Sequence, residues 1–551
     1  MCGIYGVINR KVRREQAMEC LDTMIHRGPD GFGLWQEDGV TLGHRRLAIL
    51  DLSSAGSQPM SYANERYWMT FNGEIYNFIE IREELQHKGY TFRGNSDSEV
   101  IMAAYCEWKE KCVDRFNGMW TFAIWDRQEK SLFLSRDRFG VKPLYYTEFP
   151  DGGFAFASEM KALLPLLEKV EPNKEMFDRY FADNHYESQP ECLIKGIKRF
   201  PAGSYAWIRN GKTEITRFWN TLDHLIEVPD TYEEQVEQFR ELFLDACKIR
   251  MRSDVTLGTG LSGGLDSSAT ICAMSYISRN CADERANKDW QHAYVACFPG
   301  TDLDETKYAK QVTDYLGIRH TFLTIDDAVP EREFLRQLYC FEELWGNPQV
   351  PMMELYKKER ELGTTVSLDG HAADELFAGY GFDVLKAYPD AKGKAEIDQI
   401  TMAYLNQRRE MGYDPSSAEF KRQRNKLYRD YMTKYYAKKL LGRADVSSAY
   451  ADHPNWKKLD NLNKVLFVST HETILPTLLR NYDRDSMASG VEIRMPFLDY
   501  RIVEFAFSIG WKSKLHGGFS KSIVRDACAD FMPHDIAYRR TKLGFNAPIL
   551  D

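Results

Sequence analysis

The 551-residue sequence predicts two domains of different class: a layered α+β unit, then an α/β unit built on a parallel sheet with added helices. Three observations predict this. The length exceeds the ~250–300 residues that one hydrophobic core holds. Up to about residue 215 short β-rich runs dominate and helices are few. From about residue 230 strand-like and helix-like segments alternate, which implies a parallel sheet covered on both faces. The expected domains are therefore 2–215 and 230–551, with the cut between about 205 and 230.

The elements follow in order. "GIYGVI", "TLGHRRLAIL", "YWMTFNGEIYN", "SLFLSRD" and "GFAFASE" are β-branched or aromatic runs bounded by Gly, Asp, Asn or Ser, and so read as strands. "FIEIREELQHKGY" and "SEVIMAAYCEWKEKCVDRF" carry apolar residues at three- and four-residue spacing and read as helices. After "RFWNTLDHLIEVPD" a helix over Tyr232 to Arg250 leads into the strand "DVTLGTGL". A glycine turn follows, then a helix expected to bury Ala269, Cys272, Ala273, Tyr276 and Ile277. Strands "HAYVACF", "HTFLTI" and "TTVSLDG" alternate with further helices, and from about Ala395 the chain reads mostly helical.

Composition excludes several classes. A net charge of -9, pI near 5.9 and no long basic run argue against nucleic-acid or membrane-surface binding. No apolar stretch reaches the ~18 residues of a membrane span. The N-terminus lacks the basic-then-apolar pattern of a signal peptide. The 11 cysteines form no C-x-x-C pair or Cys/His cluster, as reduced thiols of a cytoplasmic protein would.

Two stretches carry chemistry. "LSGGLDSS", Leu261 to Ser268, joins a predicted strand to a predicted helix. Its glycines allow close backbone approach, its serines add donors, and the helix N-terminus favours an anion. It has neither the lysine of a Walker loop nor G-x-G-x-x-G spacing. "LDGHAADELFAGY" follows another strand and offers Asp374 and Glu375 at the same sheet edge, where carboxylates suit Mg²⁺ beside phosphates. At the other end of the chain, "MCGIYG" places a thiol next to Met1. Removal of Met1 leaves Cys2 with a nucleophile and an amine of near-neutral pKa on one residue.

The string S-G-G-L-D-S-S resembles the pyrophosphate loop of the ATP pyrophosphatase superfamily. "MCGIYG", "HRGPD", "HRRLAILDL", "FNGEIYN", "SDSEV" and "RDRFGVKPLYY" together resemble the layered αββα glutaminase domain of the N-terminal-nucleophile amidotransferases. In this order, over nearly the whole chain, the motifs resemble the glutamine-hydrolysing asparagine synthetase family.

The resemblance implies Cys2 as nucleophile, Asn72 and the Gly73 amide as oxyanion donors, and Arg46, Leu47, Ile49, Asn72, Gly73, Glu74 and Asp97 as the glutamine site. It implies ATP held by Leu261, Ser262, Gly263, Gly264, Leu265, Asp266, Ser267, Ser268, Asp369 and Gly370, with Mg²⁺ on Asp266 and Asp374. Glu343 matches a glutamate that deprotonates incoming ammonia, and Lys521 a lysine that stabilises the charge built up during adenylation and attack. Arg494 matches an arginine near the substrate site, with packing against Asp499 as its plain structural alternative. "YRRTKLGFNAP", with Lys542, matches a loop that closes over the acceptor. The implied partners are glutamine and aspartate, with a homodimer as a further possibility. His371, unusual at its position, leaves open another carboxylate acceptor such as a uronic acid. A regulatory protein with a silent glutaminase domain is the alternative of another class, against which the intact Cys2, Asn72 and Asp97 argue.

Overall fold

The structure is a computed structural model that describes residues 2–541, apart from 184–186, 188, 282–284, 303, 326–330, 344–349 and 410–411. Among the described residues twelve strands lie in the first half: β1 Gly3–Ile8, β2 Gly31–Glu37, β3 Val40–Arg46, β4 Met60–Tyr62, β5 Tyr67–Ile75, β6 Gly118–Asp126, β7 Ser131–Arg136, β8 Tyr145–Glu148, β9 Phe154–Ala157, β10 Lys198–Arg199, β11 Ser204–Arg209 and β12 Lys212–Arg217. They form two antiparallel six-stranded sheets, ordered β10–β8–β9–β1–β3–β2 and β12–β11–β7–β6–β5–β4.

Burial explains the layering. Ile4, Ile8, Val40 and Leu42 of the first sheet meet Ala123, Trp125, Leu132 and Ile208 of the second in one apolar cluster. The outer face of the first sheet packs Tyr5 and Val7 on helix α1, Arg14–Asp22, through Ala17, Cys20 and Leu21. The outer face of the second packs Met69, Phe71 and Phe133 among residues of α2, Phe78–His87, and α3, Asp97–Trp108. This is the αββα sandwich that the motifs implied. β6, "GMWTFAIWD", escaped the strand reading because it is covered on both faces and buried almost throughout, so its sequence shows no alternation.

The second half contributes α4 Tyr232–Arg250, β13 Leu257–Gly260, α5 Leu265–Asn280, β14 His292–Cys297, α6 Thr306–Leu316, β15 Arg319–Thr324, α7 Val350–Glu361, β16 Val366–Leu368, α8 Ala373–Phe377, α9 Asn461–His471, α10 Ile474–Met487, β17 Glu492–Arg494 and α11 Ser522–Cys528, with further helices between. The five strands are all parallel, in the order β15–β14–β13–β16–β17. On α5, Ala269, Cys272, Ala273 and Ile277 are buried as expected, but Tyr276 is 39% exposed. Its ring instead covers Phe531, centroids 5.4 Å apart, so a one-face reading of the helix overreached by one residue. The three residues of β17 were not legible as a strand, since so short a run has no period to read. Among the described residues, no helix is long and apolar enough to cross a membrane.

Candidate active sites

Cys2 precedes β1, between β5 and the turn after β3. Its backbone N–H donates to Asn72 Oδ1 at 2.9 Å, and its thiol faces the Leu47 carbonyl at 3.8 Å. Burial pushes the Cys2 thiol up. Asn72 lies on β5 with no exposed surface, and its buried Nδ2 has no hydrogen-bond partner among the described residues. The next residue must be glycine: a Cβ on Gly73 would lie 2.1 Å from the Met119 carbonyl oxygen of β6. Asp97, the first residue of α3, accepts the Ile75 N–H at 2.9 Å through Oδ2. Burial raises Asp97 to about 7 and Glu74 well above the usual carboxylate range. Arg46 ends β3 with Nη1 2.9 Å from the Ser53 carbonyl and Nη2 2.5 Å from that of Asp51. Leu47 and Ile49 are buried beside it, and the Ile49 carbonyl accepts the Asp254 N–H of the second half at 3.0 Å. Asn72, Leu47 and Glu74 thus lie around Cys2, with Asp97 beside Glu74.

The second centre sits where the parallel sheet changes winding direction. β13 neighbours both β14 and β16, and the crevice beyond the carboxyl ends of such strands is the usual ligand site of an open parallel sheet. Leu261 to Gly264 leave β13 and start α5, whose N-terminus no side chain caps. Ser262 and Ser267 hydroxyls are 3.1 Å apart, and the Ser262 hydroxyl accepts the Gly264 N–H at 3.2 Å, which curls the loop. The loop after β16 touches it: a Cβ on Gly370 would lie 2.4 Å from the Asp266 carbonyl carbon and 2.5 Å from the Ser267 nitrogen. Lys521 donates to Asp266 Oδ2, and its Nζ lies 2.6 Å from Asp374 Oδ1. Burial would lower the Lys521 pKa, but the two carboxylates outweigh it and raise it. Lys521 has a left-handed backbone, φ 55°, a strained conformation found where a site over-determines it. Among the described residues the buried Asp266 Oδ1 has no partner. Among the described residues the late motif adds Arg539, whose Nη1 is 3.4 Å from the Gly263 carbonyl. Lys542 and the rest of that motif lie outside the described residues.

Three of these residues have local partners. Asp369 Oδ1 accepts the Gly260 N–H at 3.0 Å and the Ser367 hydroxyl at 2.8 Å, and Oδ2 accepts the Tyr356 hydroxyl at 2.7 Å. His371 lies 3.6 Å from Asp369 Oδ2 and stacks on Tyr482, centroids 3.7 Å apart. A local partnership thus accounts for the unusual histidine. Arg494 packs on Glu492, 2.7 Å, rather than on Asp499, which is held instead by Arg250 and Arg501.

The two centres are joined by buried ion pairs that sequence reasoning missed. Arg27 donates to Asp483 through Nη1 and Nη2 at 2.7 and 3.0 Å, and its Nε donates to the Cys2 carbonyl at 3.1 Å. Asp483 follows Tyr482 on α10, so one of two adjacent residues holds Arg27, which bonds the Cys2 carbonyl, and the other stacks on His371 of the loop after β16. Arg27 stood in "HRGPD", but nothing marked Asp483 among the charged residues of its helix. Glu343, fully buried, faces Arg199 at 3.6 Å and Arg480 at 3.7 Å along the same interface. Burial raises its pKa against the pull of Arg480 and Arg484.

Comparison with known proteins matches residues 1–219 to a glutamine amidotransferase domain family and 238–551 to an asparagine synthase family. The whole chain is 30% identical to asparagine synthetase (glutamine-hydrolyzing) 1 of Bacillus subtilis, covering 87% of that protein. It is 32% identical to the same organism's enzyme 3, over 98% of this chain and 86% of the relative. Asparagine synthetase B (glutamine-hydrolyzing) of Escherichia coli K12 is 28% identical, over 98% and 81%.

Proposed function

Because this chain belongs to the glutamine-hydrolysing asparagine synthetase family, we propose that it transfers the amide nitrogen of glutamine to the side-chain carboxylate of aspartate, cleaving ATP to AMP and pyrophosphate. Domains 2–215 and 230–551 carry the two half-reactions. The observation that best supports the reading is the assembly of Asp266, Asp374 and Lys521, far apart in sequence, beside an uncapped helix N-terminus, with Cys2 and a partnerless Asn72 donor in the other half.

In the first domain the Cys2 amine, free once Met1 is removed, takes the thiol proton, and the sulfur attacks the glutamine amide carbon. Asn72 Nδ2 and the Gly73 N–H stabilise the oxyanion of the tetrahedral adduct, which collapses to a thioester and ammonia. Water then releases glutamate. Arg46 binds the glutamine carboxylate, and Glu74 with Asp97 binds its ammonium.

In the second domain the loop 261–268 with Asp369 and Gly370 holds ATP. The aspartate carboxylate attacks the α-phosphorus, pyrophosphate leaves, and ammonia displaces AMP from the acyl-adenylate. Lys521 offsets the negative charge of the reacting groups. The buried, partnerless Asp266 Oδ1 and the carboxylate of Asp374 fit Mg²⁺, which binds one or two carboxylates together with substrate phosphates. When bound it neutralises charge on the departing pyrophosphate. Glu343, raised by burial, is a base for the incoming nitrogen.

The test is Cys2→Ala. Asparagine formation from glutamine should vanish while formation from ammonium salts, with AMP and pyrophosphate, persists. Undiminished use of glutamine by the variant would refute the assignment.

A further inference from the structure

The residues assigned to the glutamine ammonium, Glu74 and Asp97, are buried, and the first domain does not surround them alone. β17 of the second domain's sheet brings Glu492 and Arg494 against them, both without exposed surface. Arg494 Nη2 lies 3.4 Å from Glu74 Oε1. Its Nε donates to Glu492 Oε1 at 2.7 Å, and its Nη1 donates to the carbonyls of Arg250 and Arg252 at 2.8 and 2.6 Å. The guanidinium is thus fixed from three sides before it reaches Glu74. The carbonyl of Arg494 accepts the Asp369 N–H at 2.9 Å, so the same residue is stitched to the loop after β16.

We propose that Glu492 and Arg494 are positioning residues of the glutamine pocket: Glu492 fixes Arg494, Arg494 fixes Glu74, and the second domain thereby completes the ammonium end of a site that otherwise belongs to the first. The inference rests on the glutamine reading given above. Its physical content is electrostatic. Asp97 faces Glu74 from α3, Glu492 and Arg494 face it from β17, and Cys2 lies beside it ahead of β1, while Arg82 of α2 faces Asp97 and Lys142 faces Glu492 from the loop before β8. Burial and the charge of Glu492 lift Asp97, the Ile75 N–H and Arg494 pull it down, and the balance leaves it at about 7. An ammonium ion prefers the ionised carboxylates, so glutamine binds more tightly as pH rises through about 7. Removing Glu492's charge eases ionisation and moves that midpoint to lower pH. Removing the charge of Arg494 moves it to higher pH.

The experiment measures glutamine affinity by titration calorimetry from about pH 5.5 to 8.5, in the full chain carrying Cys2→Ala so that nothing turns over. Glu492→Gln and Arg494→Gln are each added to that background. Midpoints displaced in opposite directions, each by about half a unit or more, are expected, a change of roughly threefold or more in affinity on the acid limb. A merely structural role would weaken binding in both variants without moving either midpoint, and that result overturns the inference. Should Arg494→Gln not fold, the sign for Glu492→Gln decides alone: a shift to lower pH supports the inference, and no shift or the reverse overturns it. Absence of any glutamine binding by the Cys2→Ala parent would instead overturn the glutamine reading, and this inference with it.

Discussion

Asn72 does two separable things, and two substitutions distinguish them. Its Oδ1 accepts the Cys2 N–H at 2.9 Å, which positions the nucleophile, while its Nδ2 is a buried donor with no partner. Loss of the Oδ1 hydrogen bond alone costs about 1 kcal/mol of stability. Loss of an oxyanion donor costs about 3–4 kcal/mol of transition-state stabilisation, or roughly 10²–10³ in kcat. Asn72→Asp keeps an oxygen to accept from Cys2 but puts a carboxylate where the donor was. Asn72→Ala removes both. Glutamate release should therefore fall by at least about 10² in both variants, with KM for glutamine changed only a few-fold, because the donor acts on the oxyanion rather than on bound substrate. Asparagine formation from ammonium should be untouched, since Asn72 belongs to the first domain's site. If Asn72→Asp kept kcat within about tenfold of the parent, holding Cys2 would be the residue's whole contribution and the oxyanion assignment would fall.

Other expected outcomes follow from single contacts. Asp266→Asn or Asp374→Asn should cut pyrophosphate release by several kcal/mol of barrier while glutamine hydrolysis continues, as separate assays of the two half-reactions will show. Gly370→Ala puts a Cβ 2.4 Å from the Asp266 backbone, so AMP formation should drop sharply beside normal glutamate release. Asp483→Ala leaves the buried Arg27 with Glu159 but without its bidentate partner, a loss of about 3 kcal/mol or more readable as a lower urea midpoint, and glutaminase kcat should fall with it. Asp499 is held far below the usual carboxylate range, against its burial, by Arg250 and Arg501. A depressed carboxylate contributes its stability above the ordinary value of about 3.9 and loses it as pH falls through the folded value. Asp499→Asn should accordingly lower the urea midpoint at pH 7, and the deficit should shrink as the pH drops below about 4.

What the sequence disclosed follows from how far each signal reaches along the chain. β1, β5 and α4 announced themselves through local pattern and lie within two residues of where the residues placed them. The loop 261–268 was legible because its glycines and serines are contiguous, and its neighbour after β16 because it too follows a strand. β6 hid in a run buried on both faces, and β17 in a segment too short for any period. The contacts between the halves were out of reach for a different reason. Arg27 with Asp483, and Glu74 with Arg494, pair residues separated by hundreds of positions, and a charged residue carries no mark of its distant partner. The surroundings of His371 were equally out of reach, since its ring meets Tyr482, a residue more than a hundred positions away, beside Asp369.

The central claim is that one chain moves nitrogen from glutamine to an ATP-activated aspartate. It is tested most directly by incubating the protein with ATP, Mg²⁺, L-aspartate and glutamine labelled with ¹⁵N in the amide, then reading the products by mass spectrometry and ³¹P NMR. The account predicts ¹⁵N in the side-chain amide of asparagine, with one AMP and one pyrophosphate for each asparagine formed. Labelled ammonia and glutamate without asparagine, or asparagine accompanied by ADP and phosphate, would contradict it.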